Sequence, residues 1–428
     1  MIAAIFFAAG TQVLSLGQAQ GLLLSQAPEL RAEKMMEEKS RAQLAEARAS
    51  YLPSLDAYGS YQAFTEANRL HVELPPPVGV MDRTLGDKTR EEYGIDLTYP
   101  LFAGGQRRGQ VLSRQAAVRA SAESVRARQN QLSLRLVSIY YAWHIAEAAR
   151  STQAALVRAH EDSWNRIVAE VKQGAALKSR EASARARWLN AQVDLQSAQD
   201  ARDSLSRAAA LLLGLSPEQS IGFTLDTAAE SSGTATGSNA GITRPEIEFL
   251  DRTSESLENQ ERALAGQRLP TLSALAGYRL ANPGLNLGSD DYMSYGLIGL
   301  QLRWNLFDGF KNRSQRSQVR SQREAVGVER GRQAAFWSEA SLSADRNAAR
   351  LGMSLLAARA SWEASQEGLR EKTAQRKQGS ASELDVTDAT VLEAKSALLV
   401  RQLSLQVRLA QWQQRFARGE TLVFPRGE

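Results

Sequence analysis

The chain has 428 residues, 23% charged and 43% hydrophobic, with 52 Lys and Arg against 47 Asp and Glu for a net charge of +5. That composition excludes a disordered chain, and a small surplus with no block of like charges gives no case for nucleic-acid binding. The absence of Cys excludes disulfides, thiolate metal sites and Cys nucleophiles, as well as a lipid attached through an N-terminal Cys, and the three His (His71, His144, His160) show no metal-ligand spacing, so no metal and no cofactor is expected.

Residues 2–9, IAAIFFAA, followed by Gly10 and Thr11, read as the end of a truncated secretory signal peptide over 1–10 whose basic n-region is missing. Nowhere does an apolar run reach the roughly 18 residues that a membrane-spanning helix needs, so integral contact with a bilayer would require β-strands.

Beyond the start, the chain repeats itself. PEL at 28–30 returns as PEI at 245–247, and LPSLDAYGSY at 52–61 returns as LPTLSALAGY at 269–278, both at an offset of 217. Further on, LTYPLFAGGQRR at 97–108 matches LRWNLFDGFKNR at 302–313, and KQGA at 172–175 matches KQGS at 377–380, both at an offset of 205. A single change of offset means that the two copies share one plan and differ in the length of one loop. The first repeat is assigned to 11–214, a Ser-, Thr- and Gly-rich linker to 215–244, the second repeat to 245–417 and a C-terminal tail to 418–428.

Within each copy the period switches from helix to strand and back. Residues 28–51 and 245–268 predict helices. Strand alternation follows at 93–101, where Ile95, Leu97 and Tyr99 alternate with Asp96 and Thr98, and at 298–306, where Leu300, Leu302 and Trp304 alternate with Gln301, Arg303 and Asn305. Weaker alternation at 54–62 and 271–280 supplies a partner for each, giving hairpins over about 52–102 and 269–307. The tip of the first, 63–92, contains Pro75, Pro76 and Pro77 and reads as an irregular exposed loop. Long helical stretches over 106–172 and 311–377 come next, each on the order of 100 Å at 1.5 Å per residue. Turns at Gly174 and Gly379 lead into return helices over 178–213 and 382–417, making antiparallel hairpins of coiled-coil type.

Four amphipathic strands cannot close a barrel, and an open sheet in lipid leaves unpaired edge groups, so several chains must contribute. Two chains give a filled barrel of 8 strands and three give 12 with room for a lumen. The face of Asp96, Thr98, Gln301 and Arg303 is then the lumen, and that of Ile95, Leu97, Tyr99, Leu300, Leu302 and Trp304 meets outer-membrane lipid. A soluble β-sandwich with helical appendages explains neither the ~100 Å helices nor the repeat.

The order of helix, LPSL strand, loop, strand ending in YPLFAGG or WNLFDGF, long helix, QG turn and return helix, present twice, resembles the TolC-like outer-membrane efflux proteins. The strongest local likeness is QGSASELDVTDAT at 378–390. The resemblance implies a mainly α chain that joins a homotrimer, with a 12-stranded transmembrane β-barrel continued by an α-barrel through the periplasm. It also implies no catalysis, a periplasmic adaptor (membrane fusion) protein and an inner-membrane transporter as partners, and service in a tripartite efflux pump or type I secretion. Asp385 and Asp388 fall on the acidic residues that line the family's periplasmic gate, and adaptors would dock at the Gly174 and Gly379 turns. Arg376 and Ala381 stand where the family's best-known member has a Tyr and an Arg that tie its gate shut, so that closing network does not carry over.

The residues themselves offer a second role for Asp385, because Ser382 followed by Asp385 spells a capping box. Arg180, the first-copy counterpart of Asp385, is an expected ion-pair partner for Asp385 or Asp388. Neither a phosphate loop nor a nucleophile elbow nor a paired acid and base occurs, so no enzyme is expected. Two other functions compete with the duct: a periplasmic adaptor, which normally has one helical hairpin flanked by β-rich domains, and a structural coiled-coil surface protein.

Overall fold

The computed structural model describes residues 12–73, 75–77, 79–85, 87–225, 244–285 and 291–424. The signal-peptide remnant expected at 1–10 and most of the expected linker lie outside them. Chain order runs β1 (Gln12–Leu14), α1 (Leu16–Gln26), α2 (Pro28–Ala49), β2 (Ser54–Ala63), β3 (Asn68–Glu73), β4 (Val80–Leu85), β5 (Thr89–Ala103), α3 (Gln106–Lys172), α4 (Lys178–Leu213), β6 (Ile221–Phe223), α5 (Pro245–Gly266), β7 (Thr271–Asn282), β8 (Met293–Arg303), α6 (Lys311–Lys377) and α7 (Glu383–Ala417). Among the described residues no helix is long and apolar enough to cross a membrane.

The chain folds as two compact units, and their boundaries cut across both sequence repeats. One unit takes 1–36, 122–248 and 331–428, and the other takes 37–121 and 249–330. Each repeat contributes the strands of its long β-hairpin to the second unit and most of its helical hairpin to the first. The 67-residue helices α3 and α6 belong to both.

The first unit is held by a core of Leu16, Leu23, Leu136, Tyr140, Trp143, Leu213, Phe223, Leu405 and Trp412. Burying a Leu-sized side chain contributes about 1.5–3 kcal/mol. Two segments that sequence left without structure belong here. Part of the expected linker forms β6, which pairs in parallel with β1. The expected C-terminal tail buries Leu422 and Phe424, and it is pinned by Gln20, whose Nε2 donates to the Leu422 carbonyl at 2.7 Å while its Oε1 accepts from the Phe424 N–H at 2.9 Å. α1 starts at a Ser15 and Gln18 capping box. No sequence reading placed a helix there.

The second unit carries a four-stranded antiparallel sheet in the order β2-β5-β7-β8. Ser54 pairs with Thr98, Leu97 with Ala276 and Leu272 with Leu302, and the ladders run across all four strands with a bulge in β5 between Pro100 and Phe102. The first hairpin's tip differs from expectation: β3 and β4 pair across it, His71 opposite Asp82, as a small second hairpin. Its strands are six residues each, too short and too polar for a period of two to stand out. Trp304 lies just past the end of β8, where its indole Nε1 donates to the Arg268 carbonyl at 3.0 Å.

Candidate functional site

Two places in the chain carry sequence-predicted function, one in each unit. The first is the sheet. Because side chains alternate along a strand, the observed register gathers Leu55, Ile95, Leu97, Tyr99, Tyr278, Leu300 and Leu302 on one face. All are exposed, and Ile298, opposite Ala276 on the same face, is 92% exposed. A contiguous apolar face of this size left open to solvent marks a surface built for lipid or for another protein.

The opposite face takes Asp96 and Thr98 of β5 with Gln301 and Arg303 of β8, and it holds an ionic cluster that sequence reasoning missed. Arg279 lies 3.3 Å from Glu92 and 3.6 Å from Asp96, and Tyr58 donates to Glu92 at 2.6 Å. Glu92 and Asp96 are four residues apart on one strand, so they share a face, and the register sets Arg279 opposite Gly94 between them. The signal was present in the spacing, but only pairing supplies the Arg.

The second place is the pair of helical turns. Gly174 and Gly379 have φ of +74° and +77°, a conformation that a side chain resists. A Cβ at either position would meet nothing within 4 Å, so the requirement is backbone geometry and the turn surface is open. Beyond Gly379, α7 begins with the predicted capping box: the Ser382 N–H donates to Asp385 Oδ2 at 2.8 Å, and the Asp385 N–H donates to Ser382 Oγ at 3.2 Å. The hydrogen bonds from the Ser382 side chain and then its backbone hold the Asp385 carboxyl below the usual range, with smaller help from Lys372 and Arg180.

Asp385 and Asp388 share one face of α7 with Ala389 and Leu392. Together they line a groove of about 520 Å³ against Ser361, Ser365 and Lys372 of α6. The expected Arg180 ion pair is corrected here. Asp388 pairs with Arg187, two helical turns further along α4, and Arg180 reaches Asp385 only through longer-range attraction.

Arg376 joins a network the sequence did not reveal. It lies 3.1 Å from Glu170 and 3.4 Å from Glu383, and Glu383 also takes Arg166 at 2.7 Å. Thr387 donates to Ser163 at 3.0 Å one turn further on. Glu383 and Thr387 are buried, so the start of α7 is fastened to α3 by charge and hydrogen bonding. His160 lies close to the Arg187 and Asp388 pair, its imidazole pushed down by burial and by Arg187.

Comparison with known proteins gives two findings. Residues 20–215 match the family model described as outer membrane efflux protein. No curated protein matches the chain. Among solved structures, the transmembrane channel protein CusC is 17% identical with a TM-score of 0.74, over 97% of this chain and 96% of that one. The outer membrane protein VceC from Vibrio cholerae is 15% identical, TM-score 0.74, over 95% and 96%. The Campylobacter jejuni CmeC outer membrane channel is 14% identical, TM-score 0.75, over 98% and 90%. At these identities the structural likenesses establish the fold.

Proposed function

We propose that this chain, whose residues 20–215 match the outer membrane efflux protein family, is the exit duct of an efflux assembly, a passive conduit for small molecules or a polypeptide through outer membrane and periplasm. The observation that carries this reading is the sheet: four strands with one apolar exposed face, one ion-paired polar face and an unpaired edge on each of β2 and β8. Such edges cannot stand in hydrocarbon, where each unsatisfied backbone group costs several kcal/mol. Three copies close the sheet into 12 strands with the Arg279, Glu92 and Asp96 cluster lining the lumen. A periplasmic adaptor docking at the open Gly174 and Gly379 turns, and an inner-membrane transporter that supplies the energy, complete the assembly.

The same reading makes the α7 face of Asp385 and Asp388 the periplasmic constriction. Six carboxylates from three copies would favour cations there. Capping and gating coexist at Asp385, since one carboxylate oxygen serves the cap.

The test is assembly and insertion. Detergent-extracted protein should have three times the 46.8 kDa chain mass. Leu302→Arg should impair insertion by about 2–4 kcal/mol if the site lies near the bilayer midplane, while Gln301→Arg should be tolerated and alter conductance. A stable inserted monomer, or equal effects of the two changes, would refute the barrel.

A further inference from the structure

Where strand passes into long helix, the two copies diverge. In the first, Arg107 at the start of α3 closes the junction: its guanidinium lies over the Tyr51 ring at 5.8 Å and donates to the Pro100 carbonyl at 2.8 Å. By the repeat offsets its counterpart in the second copy is the shorter Asn312, and that of Tyr51 is Arg268. A groove of about 1010 Å³ opens there, bounded by Arg268, by Trp304–Phe310 and by the first turns of α6.

Two features of this groove call for a ligand. The first is a buried acceptor without a donor. Asn312 is 7% exposed, and its Nδ2 donates to the Leu264 carbonyl at 2.6 Å and to Gln267 Oε1 at 3.4 Å, which fixes the orientation of the amide. Its Oδ1 is left with no hydrogen-bond partner among the described residues, and so is Nε of Arg316 one turn further on. Buried polar groups of this kind are costly unless something outside the chain satisfies them. The second feature is charge. Arg268, Lys311, Arg313, Arg316 and Arg320 line the groove. Glu261 takes Arg316 and Arg320, and Asp308 accepts from the Asn312 N–H at 2.8 Å, so two carboxylates stand against five cations. Arg268, Lys311 and Arg313 are exposed and make no ion pair among the described residues. At the counterparts of the five cations the first copy has Tyr51, Gln106, Arg108, Val111 and Gln115, a single positive charge.

The setting identifies the ligand's source. Along the chain the apolar face of Leu300 and Leu302 is followed by Trp304, Phe307 and Phe310, all exposed, and then by the cations of α6. The Trp304 indole donates to the Arg268 carbonyl, which holds aromatic and cation side by side. That is the order of a bilayer from hydrocarbon through interface to headgroup. Phe310 keeps a φ of +67° where the first copy has Gly105 at +80°, a conformation that side chains resist, and such strain marks the ring as needed at this surface. We propose that the groove binds the headgroup of an anionic glycerophospholipid of the periplasmic leaflet. The phosphate accepts from Arg316 Nε and from Arg268 and Arg313, a headgroup hydroxyl donates to Asn312 Oδ1, and the aromatic rings lie against the acyl chains. This rests on the reading of the sheet's apolar face as lipid-facing. A neighbouring copy seated on α6 as α5 is seated on α3 leaves the groove open. It would cover Ser314, the counterpart of Gly109, whose added Cβ would meet Ala263, and Ser314 does not line the groove.

The test titrates full-length protein, extracted in detergent and stripped of co-purified lipid, with dioleoylphosphatidylglycerol and follows binding by native mass spectrometry. Arg268→Gln and Arg313→Gln change exposed side chains that make no ion pair, so melting should hold while lipid affinity falls about ten-fold for each, the loss of one charge-assisted hydrogen bond. Arg108→Gln, the matched change in the first copy, should leave affinity unchanged. Dioleoylphosphatidylmethanol, equal in charge but lacking the hydroxyl, should bind several-fold more weakly. Glycerophosphoglycerol, the headgroup without its chains, should neither bind nor compete at the same concentration. Equal affinity in Arg313→Gln and Arg108→Gln, equal affinity for the two lipids, or competition by the free headgroup overturns the site. A groove that takes up no lipid, as when a neighbouring copy fills it, overturns it too. Insertion into phosphatidylcholine vesicles separates the two readings: protein that inserts and fails these tests loses the site alone, whereas protein that does not insert fails as a duct, and the site falls with it.

Discussion

The two helical turns are copies of one design, and they differ where it matters. After Gly174 the return helix starts at Leu177, which is 70% exposed and makes no side-chain cap, and continues with Lys178 and Arg180. After Gly379 the equivalent positions are Ser382, Glu383 and Asp385: a full capping box on an acidic first turn, tied to Arg166, Arg376 and Arg187. Anionic side chains suit a helix N-terminus and cationic ones do not. The first hairpin therefore supplies Arg166, Arg187 and an uncapped start, and the second supplies a sharply defined acidic start whose carboxylates pair with them. One backbone plan has been divided into an anchor and a fastened element, and a fastened element can be released.

The largest expected effect sits in the first copy's core, at a position whose second-copy counterpart is Ala349. His144 is 8% exposed, packed edge-on to Tyr140 and Trp143, and burial, helped by Arg401, pushes its imidazole down to about 4. Between that value and the ordinary 6.5 the unfolded chain binds a proton that the folded chain refuses. Stability at this site is thus fully present above about pH 6.5 and falls by up to about 3 kcal/mol as pH drops through 4. Melting followed from pH 7 to 4 should show that loss, and His144→Gln should flatten it. An unchanged slope in the variant would assign acid sensitivity elsewhere.

Next comes Glu383. Replacing it by Ala strips two guanidinium groups of their buried partner, but Arg166 and Arg376 are partly solvated, so the loss should be about 1–3 kcal/mol. Hydrogen exchange should quicken over 383–390. Lys178→Ala, the equivalent change in the first copy, should leave exchange near 178–185 within experimental error, and matching effects would erase the distinction between anchor and fastened element.

The smallest effect is capping. Ser382→Ala should cost about 1 kcal/mol, and Leu177→Ser should add a similar amount to the first hairpin, both read as shifts in melting. If Leu177→Ser gains nothing, the open turn is held by other forces.

Much of this was legible in the sequence. The repeat offsets located both hairpins, the period of two assigned Ile95, Leu97, Leu300 and Leu302 to one face, and Ser382 with Asp385 announced the cap. What stayed hidden depends on packing height. Arg180 and Arg187 are about two turns apart and lie on nearly the same face of α4, so the choice of Asp388's partner depends on how far α4 and α7 are staggered, and no local pattern encodes that. Glu383 spells only a first-turn acid in the local pattern, and its partner Arg166 comes from α3, more than two hundred residues away. The pairing of β1 with β6 escaped because three residues carry no period.

That copies of this chain enclose a continuous water-filled path is tested most directly by current through a planar lipid bilayer. Purified trimer added to one side should give discrete, long-lived, ohmic steps that prefer cations, and a trivalent cation on the periplasmic side should block them. Asp385→Ala with Asp388→Ala should relieve the block. A trimer that inserts stably and passes no current under any voltage or salt condition would contradict the account.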